Sequence, residues 1–413
     1  MSWGIVGPLR DLTGSQRHTF FASLAGWALD AFDFFLFVFA VRSIASDFHT
    51  SVHAVTQGIF WTLAMRPIGA VLFGYLAEKY GRRPILMVNV ISYSLCELAS
   101  GLAPDLTTLL VLRGVFGIAM GGEWGIGAAL ALETLPAKSR GFFSGLLQEG
   151  YVLGYLLAAI VFKFFFDRIG WRGMFFVGAA PALLVLYIRR TVDESPAWLA
   201  GATTKSARPA RETLVQAVRY LPRLLFLVLL MACFNALSHG SQDLYPTFLQ
   251  EQHGFDASTT GTIAIVYNLG ALAGGIAFGS FSERIGRRRA IALAAALSLP
   301  AIPLWAYSTS VPMFALGGFV MQFMVQGAWG VVPAHLNELS PPSVRAILPG
   351  FAYQLGNLAM SKMAPVQASF AEAHGNDYAG VLSWTIGIAA VVLVVVTLLG
   401  HEAKAAELTV GRG

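Results

Sequence analysis

The chain has 413 residues, 56% of them apolar and only 12% charged, with a formal net charge of +5 and a mean hydropathy of +0.63. Soluble proteins carry about 25% charged residues, so a water-surrounded globular fold is excluded. The basic surplus lies in short gaps between long apolar runs, which makes it a marker of membrane orientation and excludes a nucleic-acid surface.

The apolar runs cover 20–46, 54–77, 85–103, 105–131, 141–166, 171–190, 222–249, 258–281, 290–308, 311–334, 346–370 and 379–400. Runs of about 20 residues cross a hydrocarbon core. Backbone left unpaired in lipid is too costly, so these twelve segments, spans 1 to 12, are predicted helices. Most of the 28 Lys and Arg residues fall in the even-numbered gaps, the tails and the centre, while the opposite side holds Arg42, Lys163, Arg168 and Arg172. This bias places both termini in the cytoplasm of a multi-pass protein of the cell (inner) membrane. The first run begins only near Thr19 and is long enough to stay as a span, so no cleavable signal is expected. The protein is expected to work as a monomer in the lipid bilayer, and its 43 glycines suit close helix packing there.

Span 1 carries Asp30 and Asp33, three residues apart and neighbours on one helix face. Two acids together in low dielectric cannot both ionise cheaply, which makes them candidates for carrying a transported proton. Arg113 of span 4 is the cation that could pair with one of them, so that proton binding would release it. Arg66 lies in the middle of span 2, within Trp61-Thr-Leu-Ala-Met-Arg66-Pro-Ile-Gly-Ala. A lone guanidinium at that depth requires an anionic partner, fixed or transient, and its planar fork suits a carboxylate. Glu123 of span 4 and Glu149 of span 5 are open between a satisfied interhelical contact and a proton carrier. Cys96 and Cys233 fall in spans of different halves, so no disulfide is expected.

The gap at 191–221, rich in Arg, Ala and Thr and punctuated by Pro196 and Pro209, reads as a linker between an N-terminal six-helix bundle (1–190) and a C-terminal one (222–413). Arg211 to Leu221 is expected to form a short amphipathic helix along the membrane surface. The two halves repeat one another. Gly74-Tyr-Leu-Ala-Glu78-Lys-Tyr-Gly81-Arg82-Arg83 returns 205 residues on as Gly279-Ser-Phe-Ser-Glu283-Arg-Ile-Gly286-Arg287-Arg288. The same offset takes Glu133 to Glu338, Arg140 to Arg345 and Gly145 to Gly350. Glu78 and Glu283 are expected to pair with Arg140 and Arg345, or with a neighbouring helix N-terminus, latching the halves in one state. Duplication within an apolar chain points to a secondary transporter with its substrate site between the halves.

Span 7 contains Asn235-Ala-Leu-Ser238-His239-Gly-Ser241-Gln242-Asp243-Leu-Tyr-Pro-Thr247. Asn235, His239 and Asp243 recur every four residues, so they form one polar stripe that must face a cavity or the bundle interior, with a titratable centre.

Twelve spans, a basic central linker and the Gly-x-x-x-(acid)-x-x-Gly-Arg-Arg loop in each half resemble the major facilitator superfamily, although the family usually has Asp at the positions of Glu78 and Glu283. The span 7 string is similar to the signature of the fungal lactate permeases, within the sialate:proton symporter family, at every specified position. That resemblance implies carriage of short monocarboxylates such as lactate and pyruvate with protons. It implies that Asn235, His239 and Asp243 are transport-critical, that Arg66 meets the carboxylate, and that Gln354 and Asn357 in Tyr353-Gln-Leu-Gly-Asn357 join the site. Gln148-Glu149-Gly-Tyr151 departs from the Gln-Gln-Gly-Tyr of that family. Tyr151 is taken as a site wall, and Glu149 as a second protonation point or a determinant of selectivity. The proline-containing glycine pattern of drug exporters is missing from span 5.

The expectation is therefore an all-α major facilitator fold of two six-helix bundles, carrying a small carboxylate together with protons and needing no cofactor. Sialic acid and aromatic acids are the alternative substrates. An enzyme is not expected, since no nucleophile–base pair or cofactor motif is visible. A transport-like sensor is disfavoured by the short tails.

Overall fold

The computed structural model describes residues 12–135, 140–195, 198–199, 210–340 and 348–402. Among the described residues the regular structure is helical. Eight helical segments are long and apolar enough to cross a membrane. They carry spans 1 to 4, 7, 8, 10 and 12. The other four crossings come in pieces. Span 5 is Arg140–Gln148 plus the first part of Gly150–Val177, and span 6 is the part beyond the kink at Gly170 plus Ala182–Thr191. Span 9 is Arg287–Ser298 with Ile302–Ala306, and span 11 is Leu348–Met360 with Met363–Ala373.

Polar side chains start the helices where the sequence offers them. Ser51, Asp105, Asp256 and Asp377 each accept from a backbone N–H three residues on, and Thr13 forms a capping box with Gln16. Spans 2 and 3 are joined by Gly81 alone (φ 105°), and spans 8 and 9 by Gly286 alone (φ 95°). Only glycine adopts that region without strain, which explains why the repeated motif holds a glycine there.

The expected surface helix over Arg211–Leu221 is corrected. Ala210–Gln242 is one continuous helix, so those residues extend span 7. The helix runs through Pro222, whose missing N–H leaves one carbonyl without its helical bond, and continues into the apolar stretch beyond.

Equivalent helices pack most closely in each half, span 2 on span 4 and span 8 on span 10. Gly121 of span 4 lies against the carbonyl oxygen of Arg66, and Gly274 of span 8 against that of Phe323. A Cβ at Gly121 would overlap that oxygen, whereas one at Gly114 finds its nearest neighbours at 3.9 and 4.0 Å. Gly121→Val should therefore lower the melting temperature of the purified protein and displace Arg66, at a cost of about 1–3 kcal/mol for overpacking. Gly114→Ala should melt like wild type, and equal melting of the two variants would refute this packing account.

The repeated loop motif forms a charge cluster at the end of each half. Arg82 meets Glu133 at 2.9 Å, and Arg287 meets Glu338 at 3.1 Å and Glu283 at 2.7 Å. The N-termini of spans 3 and 9 are occupied by Glu194 and Glu402, which accept from the backbone N–H groups of Arg82–Arg83 and Arg287–Arg288. The expectation for these helix ends is corrected: the acid at each N-terminus comes from beyond span 6 or span 12 in place of Glu78 or Glu283, Glu283 pairs with Arg287, and the motif's ion pairs at Arg82 and Arg287 run inside one bundle. Arg345 and the side chain of Arg140 lie outside the described residues. Arg287→Ala would strand Glu338, whose side chain is 10% exposed. That should cost about 3 kcal/mol in thermal unfolding, whereas Glu283→Gln, at a 64% exposed side chain, should cost under about 1 kcal/mol.

Candidate functional site

At the end of the molecule opposite the termini the two bundles are tied together. Arg42 of span 1 pairs with Glu251 of span 7 at 2.8 Å. The backbone N–H of His53 donates to Glu372 at 2.8 Å, and His53 Nδ1 lies 2.9 Å from the carbonyl oxygen of Pro365. The ionisable residues of the spans lie below this seal.

Arg66 is 1% exposed, and its Nε and Nη2 have no hydrogen-bond partner. Its guanidinium lies 5.9 Å from the ring centre of Trp27 (span 1) and 5.5 Å from that of Tyr353 (span 11). The cation therefore faces the seam between the bundles, flanked by aromatic faces that attract it by cation–π contact without neutralising it. Among the described residues no carboxylate is bonded to it, although Asp30 and Glu123 lie within its electrostatic reach. Gly26 and Gly127 leave the room that the Glu123 carboxyl occupies.

Across the seam four of the predicted residues form a hydrogen-bonded chain. His239 Nδ1 is 3.0 Å from Asp243, and its Nε2 is 3.3 Å from Asn357 Oδ1. Asn357 in turn donates to Gln354 at 3.4 Å. Both ring nitrogens face oxygens, so a proton added to the imidazole finds an acceptor on either side. Span 7 breaks at Asp243–Leu244, and such discontinuous helices are where transporter sites form. Phe34 of span 1 meets the His239 ring edge-on at 6.2 Å between centres, which brings this chain against the N-terminal bundle. Asn235 is buried beside it on the same helix, with Nδ2 unpartnered.

Tyr151 lies 5.8 Å from Trp27 and 5.2 Å from Phe35, within electrostatic reach of both Asp243 and Arg66. Aromatic rings continue from there around the seam: Tyr353 meets Trp124 at 5.7 Å and Trp329 at 5.9 Å, and Trp329 meets Phe234 at 5.5 Å. Glu149 sits at the junction of the two pieces of span 5 with Oε2 unpartnered, and its carboxyl occupies the space left by Gly275 of span 8.

The span 1 acids are fully buried, and neither Asp30 nor Asp33 has a hydrogen-bond partner. Here the structure corrects one expectation. Arg113 bonds neither of them; it pairs with Glu97 of span 3 at 2.7 Å and donates to Ser100 at 2.7 Å. Span 3 turns Glu97 and Ser100 inward, one turn apart, so its carboxylate reaches Arg113 before either aspartate can. The rule that picked out Arg66, an ionisable side chain at membrane depth, would have found Glu97 as well. The ring belt had no comparable signal, because its members come from six different spans.

Two family models match this chain: the sugar (and other) transporter model over residues 18–223 and the major facilitator superfamily model over 243–411. The chain belongs to the major facilitator superfamily. The chain is similar to the carboxylic acid transporter protein homolog of Saccharomyces cerevisiae, 29% identical over 97% of this chain and 71% of that one. The sialic acid transporter NanX of Escherichia coli is 29% identical over 86% of this chain and 87% of that one. The partially occluded inward-open structure of the xylose transporter XylE from E. coli matches 95% of this chain and 99% of that chain, with a TM-score of 0.76 at 18% identity. That likeness concerns the fold alone. A multi-pass membrane transporter of the superfamily, built as two six-helix bundles, accounts for the architecture.

Proposed function

We propose that this transporter is a proton-coupled symporter of small monocarboxylates of the lactate and pyruvate type, working by alternating access between its two bundles. The observation that carries the reading is Arg66, a buried guanidinium at the seam with two orphaned donors. A fixed cation left unbonded at that depth is costly, and a transient carboxylate from the substrate would complete it bidentately. The similarity to proteins named for carboxylic acid and sialic acid transport supports an organic acid as cargo.

In this reading the substrate carboxylate docks on Arg66, with Tyr151, Asn235, His239, Gln354 and Asn357 around it. A proton taken up at the span 1 acids, at His239–Asp243 or at Glu149 offsets the charge that enters with the substrate. Neutral cargo lowers the cost of closing the site, and the bundles then rock about it. The loop charge clusters at Arg82 and Arg287 hold each bundle rigid while it moves. Protons are the coupling ion, and no cofactor is needed.

A second reading, for acids bearing a flat ring, is favoured by the belt of Trp27, Tyr353, Trp124, Trp329 and Phe234, against which such a ring would stack. Uptake of lactate, pyruvate, sialate and 4-hydroxybenzoate into proteoliposomes, with and without an imposed pH gradient, separates the two. Lactate and pyruvate accumulating with the gradient supports the first; uptake of 4-hydroxybenzoate alone replaces it with the second.

A further inference from the structure

The N-terminal bundle holds more charge than the substrate requires. Asp30, Asp33, Glu97 and Glu123 are each 0% exposed, against two guanidiniums, Arg66 and Arg113, at 1%. Four carboxylates cannot all ionise beside two cations in a low dielectric, so protons must be held among them. Of these four carboxylates Glu97 is the one with an ion-paired cation, Arg113. Asp33 has none, although Arg113 and Glu97 both lie within its electrostatic reach.

We propose that Glu97 and Asp33 compete for Arg113, and that Glu97 is the positioning residue that hands a proton from the sealed end of the bundle to the span 1 acids. The inference rests on the symport reading for its purpose, while its geometry stands by itself. Glu97 lies one turn from the end of span 3 at Gly101, on the side away from the termini, whereas Asp33 lies near the middle of span 1. With Arg113 on Asp33, Glu97 is an unpaired buried acid and takes a proton. When Arg113 moves to Glu97, that proton leaves Glu97 and Asp33 receives one. Glu97–H plus the Asp33–Arg113 ion pair becomes the Glu97–Arg113 ion pair plus Asp33–H, so charge and proton count are conserved. The structure, sealed at that end, shows the second arrangement.

The groups facing Glu97 support this assignment. Span 4 contributes Arg113; span 1 contributes Asp33 and Asp30; span 3 itself contributes Cys96. One turn before Glu97, the Tyr93 hydroxyl has no partner and lies within electrostatic reach of Asp33, Asp30 and Glu123. Span 6 brings Phe175 over Arg113 at 5.2 Å and Gly178, whose place for a Cβ is 3.1 Å from Asp33 Oδ1. No second cation competes for Glu97 in this set. The rings of Phe116 at 4.5 Å and Phe37 at 5.6 Å also flank the Arg113 guanidinium.

The test is Glu97→Gln in proteoliposomes, reading lactate accumulation under a one-unit pH gradient against lactate exchange at equal pH on both sides. Wild type is expected to accumulate about tenfold, the equivalent of one pH unit. Glu97→Gln is expected to lose that accumulation while exchange continues. Accumulation at the wild-type level in Glu97→Gln overturns the proposal and leaves symport intact; wild type that exchanges lactate but ignores the gradient overturns both. Infrared difference spectra between acid and alkaline medium give a readout that needs no substrate. The carboxyl band lost in Asp33→Asn should be shifted in Glu97→Gln, and an unmoved band overturns the handover even if lactate is not the cargo. Should Glu97→Gln fail to insert, Glu97→Asp keeps the charge on a shorter arm, and a wild-type Asp33 band in that variant likewise overturns it.

Discussion

Arg66→Ala is expected to abolish carboxylate uptake while leaving the protein inserted. Truncating one partner of a desolvated charge pair costs on the order of 2–5 kcal/mol, and 3 kcal/mol corresponds to more than about 100-fold in apparent affinity. The protein should survive the change because Arg66 bonds no carboxylate among the described residues. Removing it strands no ion-paired partner. The aromatic faces of Trp27 and Tyr353 would close on the gap. Arg66→Lys keeps the charge but loses the planar fork, so it should fall between the two. Uptake measured alongside membrane expression settles the matter: normal transport by Arg66→Ala would remove the anchor from the mechanism.

His239→Ala and Asp243→Asn should flatten the dependence of uptake on pH. The imidazole stands between Asp243 at 3.0 Å and Asn357 at 3.3 Å. It therefore joins a titratable pair to a side chain of the proposed substrate site. With His239 gone, Asp243 loses its nearest polar neighbour and the chain to Gln354 is cut. An inward gradient of one pH unit, worth about 1.4 kcal/mol, should then drive no accumulation in either variant. A pH profile matching wild type would take span 7 out of proton coupling and leave that role to the span 1 acids and Glu97. Comparing these variants with Glu97→Gln shows whether one bundle or both must titrate.

Both experiments bear on how far local sequence reaches in this protein. Apolar runs of membrane length, the 205-residue repeat and the ionisable residues inside the runs are properties of the chain alone. They suffice for the twelve crossings, for the two-bundle architecture and for Arg66, His239 and Asp243 as residues at membrane depth, because lipid penalises a buried charge or an open backbone wherever it occurs. The i, i+4 spacing of His239 and Asp243 even foretells their contact, since neighbours on one helix face meet without help from the rest of the fold.

Partnerships between spans follow a different logic. Arg113 has more than one plausible acid upstream in the chain, and only packing shows that span 3 turns Glu97 toward it at 2.7 Å while Asp33 stays unbonded. The helix-end acids Glu194 and Glu402 lie more than 100 residues from the N–H groups they cap, so no local pattern marks them. The same holds for the rings around Arg66, drawn from spans 1 and 11, and for the seal at the far end of the bundles. Composition and periodicity determined which residues had to be inside. Their pairing depended on helix rotation and distance of approach, set by glycine contacts such as Gly121 against Arg66, and those are decided only when the helices pack.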